Sequence, residues 1–283
     1  TTAATTVPSD DTSGAAASPA FPVTVVTKFG DIEVPAEPQR VVSVGYTDQD
    51  YLLALGVIPI GIREWYGEQP YATWPWAQDE LGDATPTVLA ADALNFEAIA
   101  GLEPDLIIAV GAGLTPEEYE SLSVIAPTIT GGPDSPQWGI PWRDGFLQVA
   151  AAVGRTAEAE AIVADVDAMF ATARTDHPEF AGLSGAVAFW WQDQPGAYAT
   201  ADPRSEFLVD LGFVIPAAFD ELAGDSFYAS FSAEQIELLD VDVLVWVAAS
   251  DTELAPIEES PLLDTLAVRQ EGREVMPDET TVA

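Results

Sequence analysis

The residues of this chain best able to do chemistry stand in short stretches broken by Gly and Pro. Gly45-Tyr46-Thr47-Asp48 is one. Arg63-Glu64-Trp65-Tyr66, running on through Tyr71, Trp74 and Trp76, is a second and holds three of the eight tryptophans. Trp138 and Trp142-Arg143 follow, then Trp190-Trp191 leading to Tyr198, Asp202 and Arg204, and finally Phe227-Tyr228. Trp and Tyr offer flat faces for stacking, and Arg offers fixed, planar donors suited to carboxylate or phenolate oxygens. Any one of these aromatics could equally cover a sheet edge. As a set they read as the wall of a large aromatic cleft, with Arg63, Arg143 and Arg204 marking a local anion site. The competing reading for each arginine is an ordinary salt bridge to one of the plentiful carboxylates.

Other chemistries are poorly served. The chain has no Gly-x-Ser-x-Gly elbow and no Walker loop, and Gly111-x-Gly113 lacks the third glycine of a dinucleotide fingerprint. One histidine, His177, at the end of an expected helix, and no cysteine leave no transition-metal cluster, and no EF-hand spacing occurs. No cofactor and no catalysis are therefore expected. Nine basic residues against 47 acidic ones give a formal charge of −38, which repels phosphate backbones and anionic membranes and excludes nucleic acid as a partner. No apolar run reaches the ~20 residues of a membrane span.

The elements that must position these residues follow an α/β pattern. At 283 residues, 48% of them hydrophobic, the chain is long enough for two cores. Residues 1–22 are almost wholly Thr, Ala, Ser, Pro, Asp and Gly and read as a flexible tether. A hairpin is expected over 23–34, then strands over 41–44, 57–62, 106–110, 186–190 and 243–247 with helices between them. Thr47 is expected to cap the first helix, with Asp50 completing a capping-box-like pair. Glu97-x-Ile99-x-x-Leu102-x-x-Asp105 recurs without a gap as Glu234-x-Ile236-x-x-Leu239-x-x-Asp242, and Leu55-Gly56 recurs as Leu211-Gly212. Two such echoes in the same order point to two similar lobes. An Ala- and Glu-rich stretch over 156–174, with Ile162, Val163, Val166, Met169 and Phe170 as its apolar stripe, reads as one long helix joining them. The expected division is 23–141 for the first lobe, 142–177 for an interlobe helical segment and 178–283 for the second lobe. Ligands in such sheets collect outside the carboxyl ends of the strands, where the aromatic stretches fall.

Arg40-Val-Val-Ser-Val-Gly-Tyr-Thr-Asp-Gln-Asp, Ala54-Leu-Gly-Val, the 65–76 loop, Leu94-Asn-Phe-Glu-Ala-Ile with Glu103-Pro-Asp-Leu-Ile, and Leu222-Ala-Gly-Asp-Ser-Phe-Tyr resemble the iron-siderophore substrate-binding lipoproteins of bacterial ABC importers. This helix-linked class also holds cobalamin and haem binders. The resemblance runs from about Val23 onward. It implies two Rossmann-like lobes, one long interlobe helix and a cleft for a ferric chelate, in a monomeric extracytoplasmic protein. Iron arrives already wrapped, so the protein supplies no metal ligand. Ligand contacts are expected from Tyr46, Arg63, Trp65, Tyr66, Tyr71, Trp74, Trp138, Trp142, Arg143, Trp191, Tyr198, Arg204 and Tyr228. By the same resemblance Glu97 and Glu234 dock on an ABC permease, and a lipidated cysteine outside the sequence anchors the chain. The class also implies helices beyond a strand near Val275, so a second lobe cut short is expected. Cobalamin or haem binding is the alternative within the fold, and a carbohydrate-active enzyme the alternative outside it.

Overall fold

The computed structural model describes residues 21–192, 194–248 and 251–277. Residues 1–20 of the expected tether and 278–283 of the expected shortened terminus lie outside the described residues. The hairpin forms as β1 (Val23–Thr27) and β2 (Gly30–Val34). Then come β3 (Val41–Ser43), α1 (Asp48–Ala54), β4 (Gly61–Arg63), α2 (Gln78–Leu81), β5 (Thr87–Leu89), α3 (Phe96–Gly101), β6 (Leu106–Ile108), α4 (Pro116–Ser123), β7 (Thr128–Ile129) and α5 (Trp142–Val153). Strands β3 to β7 make a wholly parallel sheet in the order β5-β4-β3-β6-β7. Its central strands are apolar on both sides because both faces are covered. Val41, Leu106 and Ile108 pack with Phe146 and Val149 of α5, while Val42 and Ile107 pack with Ile99 of α3 and Leu122 of α4.

The connection is α6 (Thr156–Asp176), 21 residues long, which packs on α5 and then on α7 (Pro203–Leu211). The second lobe holds β8 (Gly185–Trp191), β9 (Gln194–Tyr198), α7, α8 (Ala217–Ala223), β10 (Tyr228–Ser230), β11 (Val243–Trp246), α9 (Asp251–Glu258), α10 (Ala267–Gln270) and β12 (Glu274–Val275). Its sheet has the order β10-β9-β8-β11-β12. Here β8, β11 and β12 are parallel, but β9 runs antiparallel to both β8 and β10.

The internal echoes have physical counterparts. Asp105 accepts the backbone N–H groups of Gln39 (2.8 Å) and Arg40 (2.9 Å) just ahead of β3, and Asp242 accepts that of Ser184 (2.8 Å) just ahead of β8. Each carboxylate therefore fastens the start of its lobe's central strand to the neighbouring strand. An arginine seconds each clamp: Arg40 donates to the Glu103 carbonyl (2.9 Å) and Arg273 to that of Asp242 (2.7 Å). The Leu-Gly pairs both end helices. Gly56 and Gly212 take φ of 71° and 104°, and Val57 and Phe213 donate back to Leu52 and Leu208 (2.9 and 3.0 Å).

Several expectations are corrected. Thr47 precedes α1 but makes no side-chain cap, its φ/ψ of −129°/0° lying outside the extended region where a cap hydroxyl reaches the first turn. Asp50 instead accepts the Trp76 indole N–H (3.1 Å). The strand expected over 57–62 shrinks to Gly61–Arg63, since residues up to Val57 bond back to α1 and Pro59 has no N–H to pair. The apolar stripe of α6 meets the core only in part, through Ile162 and Val163 against the first lobe. Only Ala159 is buried and Met169 is 70% exposed, because α6 rests on neighbouring helices along one narrow side.

Candidate functional site

A cleft of about 690 Å³ opens between the lobes, and aromatic side chains from both line it. In the first lobe, Trp65 and Tyr66 supply the wall from the loop after β4, their rings edge to face at 4.6 Å. That loop is stiffened by further ring contacts. Tyr66 meets Trp74 at 5.1 Å, and Trp74 stacks on Trp76 at 5.2 Å. Tyr46 lies 6.0 Å from Trp65 and 6.0 Å from Trp138, extending the aromatic surface beside the cleft. Trp138 lies flat over Gly113, where any Cβ would overlap its ring.

The second lobe builds its wall from a sheet face. On β8, β9 and β10 the residues Phe189, Trp191, Gln194, Tyr198, Tyr228 and Ser230 share the cleft side of the sheet, while Ala188, Ala197 and Ala229, at alternate positions, are buried in the core. Gly196 sits opposite Phe189 in the ladder, and a Cβ there would run into the Phe189 ring and come within 2.7 Å of the Ala229 carbonyl. The bare backbone lets the ring lie down. Trp190, Gln192, Phe227 and Val247 complete the lining.

Among the described residues Arg204 is the charged side chain of this lining. Its Nε and Nη2 donate to the two carboxylate oxygens of Asp202 at 2.7 and 2.8 Å, and its guanidinium lies 3.7 Å from the Tyr198 ring centroid. Asp202 is fully buried and also caps α7. Burial opposes the guanidinium charge, but the Asp202 contact outweighs it and holds the Arg204 pKa above the usual value.

Beneath the first-lobe loops lies a second polar centre. Asp48 is fully buried and accepts the Gly111 N–H (2.9 Å), while its other oxygen has no hydrogen-bond partner among the described residues. A Cβ on Gly45 would overlap this carboxyl and one on Gly111 would come within 3.0 Å, so both loops press on it through bare backbone. Burial lifts the Asp48 pKa to about 7, with neighbouring Asp50 adding to the rise; Asp50 itself is lifted to about 6, again by burial.

Of the residues expected to touch ligand, Trp65, Tyr66, Trp191, Tyr198, Arg204 and Tyr228 come together in the lining. Tyr46 and Trp138 adjoin it. The others are placed elsewhere. Arg63 is 6% exposed and its Nη2 and Nη1 donate to the carbonyls of Ala91 (2.8 Å) and Val44 (3.4 Å), beneath the Tyr46 ring. Trp74 is buried in its loop, and Tyr71 is exposed on a short turn at φ 58°. Arg143 bridges helices, paired with Asp167, Glu206 (2.9 Å) and Asp210 (2.9 Å), and lies over the Trp142 ring. The expected three-arginine anion site is thus reduced to Arg204. Phe189, Gln192, Gln194, Ser230 and Val247 escaped the sequence reading. The signal for two of them, Phe189 and Gln194, was the alternation Phe189-x-Trp191 against Gln194-x-Gly196-x-Tyr198, a hairpin whose one face carries large side chains. Glu97 and Glu234 are both exposed, each in the first turn of the segment that leads into β6 or β11.

The pattern of the family described as "Periplasmic binding protein" matches residues 41–280. A periplasmic solute binding protein from Mycobacterium smegmatis has a solved structure that superposes with a TM-score of 0.81 at 36% identity, covering 91% of this chain and 88% of that one. The PiaA protein of Streptococcus pneumoniae, solved in complex with ferrichrome, superposes with a TM-score of 0.77 at 27% identity over 92% of this chain and 90% of its own. Among curated proteins, the Bacillus subtilis protein YfiY, named a probable siderophore-binding lipoprotein, is 29% identical over 219 residues. That alignment takes in 75% of this chain and 64% of the relative's length.

Proposed function

Because this chain belongs to the periplasmic binding protein family, its pattern spanning residues 41–280, we propose that it is an extracytoplasmic receptor that captures a ferric siderophore for an ABC-type importer. The observation that carries this reading is the cleft itself: about 690 Å³ between two α/β lobes, walled by Trp65 and Tyr66 on one side and by Phe189, Trp191, Tyr198 and Tyr228 on the other. That volume suits a small-molecule ligand, and the ring faces suit a chelate with a flat, polarizable shell. Iron enters as cargo inside its chelator, so no protein ligand to the metal is required. Among the described residues no group of three or more His, Asp or Glu is placed to hold one. The receptor works by binding and performs no chemistry on its ligand.

Delivery needs a surface as well as a cleft. Glu97 and Glu234 occupy equivalent, exposed places in the two lobes and present a symmetric pair of carboxylates to basic side chains of a permease dimer. The receptor acts as a monomer, held at the cell surface by a lipid anchor outside this sequence. The test is a calorimetric titration of the purified chain with ferric siderophores, cobalamin, haemin and oligosaccharides. Saturable binding of a ferric siderophore at micromolar concentration or below is expected. Binding confined to cobalamin or haemin would move the chain to the other ligands of this fold, and turnover of an oligosaccharide would overturn the receptor reading.

A further inference from the structure

The charge balance of the cleft narrows the ligand, on the premise that it is a ferric siderophore. Arg204 is the cation of the described lining, and it is already committed. Asp202, fully buried behind it, takes two of its nitrogens at 2.7 and 2.8 Å. The pair contributes one positive and one negative charge, so the wall it belongs to is close to neutral. Arg63, the other arginine near the aromatic loops, spends its donors on the Ala91 and Val44 carbonyls below Tyr46 and does not line the cleft. The loop that carries Trp65 and Tyr66 adds negative charge through Glu64 and Glu68, and the whole chain stands at −38.

A ligand in such a site gives up water without meeting free positive charge. For a polyanion that desolvation stays largely uncompensated, and like charge around the mouth adds to it. For an uncharged chelate the loss is small, and stacking on the aromatic walls remains in full. A cationic chelate gains further, since ring faces attract positive charge. Each hydroxamate carries one negative charge, so three of them balance Fe(III). Three doubly deprotonated catecholates leave a trianion.

We infer that the cleft selects ferric chelates of zero or positive net charge, of the tris-hydroxamate kind, and rejects tris-catecholate and other polyanionic ferric chelates. The test is isothermal titration of the whole chain with three probes at low and high salt. Ferrichrome is uncharged, ferrioxamine B carries one positive charge and ferric enterobactin is a tris-catecholate trianion. The tris-hydroxamates are expected to bind at least about tenfold more tightly than the trianion. Ferrichrome affinity should change little with salt. In Asp202→Asn, which releases Arg204 from its partner, the gap should narrow by a gain for the trianion. Should that variant fail to fold, the unmodified chain still decides. Equal or tighter binding of the trianion by the unmodified chain overturns this inference and leaves the siderophore reading standing. Binding of none of the three, nor of any ferric siderophore in the wider titration, overturns both.

Discussion

In the second lobe Asp202, fully buried ahead of α7, is held by two nitrogens of Arg204; in the first lobe Asp48, equally buried at the start of α1, is held by the Gly111 amide and has Asp50 as its charged neighbour. The two helices are counterparts, each ending in the same Leu-Gly turn. One lobe thus places a paired charge in the cleft wall. The other places a protonatable carboxyl under its loops. The walls differ in the same sense: the second lobe offers a hydrogen-bonded sheet face, whereas the first offers a loop held by ring contacts. Binding and stability should be coupled in the second lobe and separable in the first.

Four experiments probe that contrast. Arg204→Ala leaves Asp202 buried without its cation, and a loss of about 3 kcal/mol in unfolding free energy is expected by chemical denaturation. Stability within experimental error of the parent would show that Asp202 does not depend on its partner. Gly196→Ala forces a methyl against the Phe189 ring and the Ala229 carbonyl. It should cost about 1–3 kcal/mol and weaken ligand binding as well. If the variant unfolds and binds like the parent, the wall is more pliant than a packed sheet face.

The buried carboxyls of the first lobe predict a pH dependence. Asp48 and Asp50 have folded pKa values of about 7 and about 6, raised above the ordinary 3.8, so the folded chain holds these protons more tightly than the unfolded one. Their contribution therefore favours the folded state as pH falls from about 7 toward 4 and is lost as pH rises through that window, by at most about 1.4 kcal/mol per pH unit for each group. Asp48→Asn should flatten the upper part of that slope, measured as unfolding free energy against pH. An unchanged slope would place the linkage elsewhere among the 47 acidic residues. The smallest stability effect is expected for Trp65→Ala, under about 1 kcal/mol, although ligand affinity should fall by about tenfold or more. A stability loss matching that of Gly196→Ala would erase the distinction between the lobes.

The first lobe was the more legible in sequence because its sheet is wholly parallel. Its central strands read as apolar runs, and its cleft-lining side chains Trp65 and Tyr66 lie in the loop after β4, at the carboxyl end of the sheet. The second lobe departs from that rule at β9. Gln194-Pro-Gly-Ala-Tyr198 carries a Pro and a Gly and has no strand signature, and it is a strand because β8 and β10 flank it. Without β9 the alternating face is invisible, so Phe189, Gln194 and Ser230 were missed. Strands of two or three residues, such as β5, β7 and β12, are too short for a period to show. Arg63 misled for a different reason. It stands two residues from Trp65 in sequence but still belongs to β4, and its guanidinium turns beneath Tyr46 rather than into the opening. The Asp105 and Asp242 echo, by contrast, was visible as spacing before its work of clamping the central strands could be seen.

The helix α6 sets what kind of message the two halves can exchange. Twenty-one residues at a helical rise make a strut about 30 Å long. Stretching it would break backbone hydrogen bonds, whereas tilting its ends requires only small slips of the side chains packed on α5 and α7. A strut of this kind keeps lengths and passes on angles. If a permease takes hold of Glu97 and Glu234 together, as proposed above, the strut favours a change of tilt over a change of length. What the permease would read is a tilt.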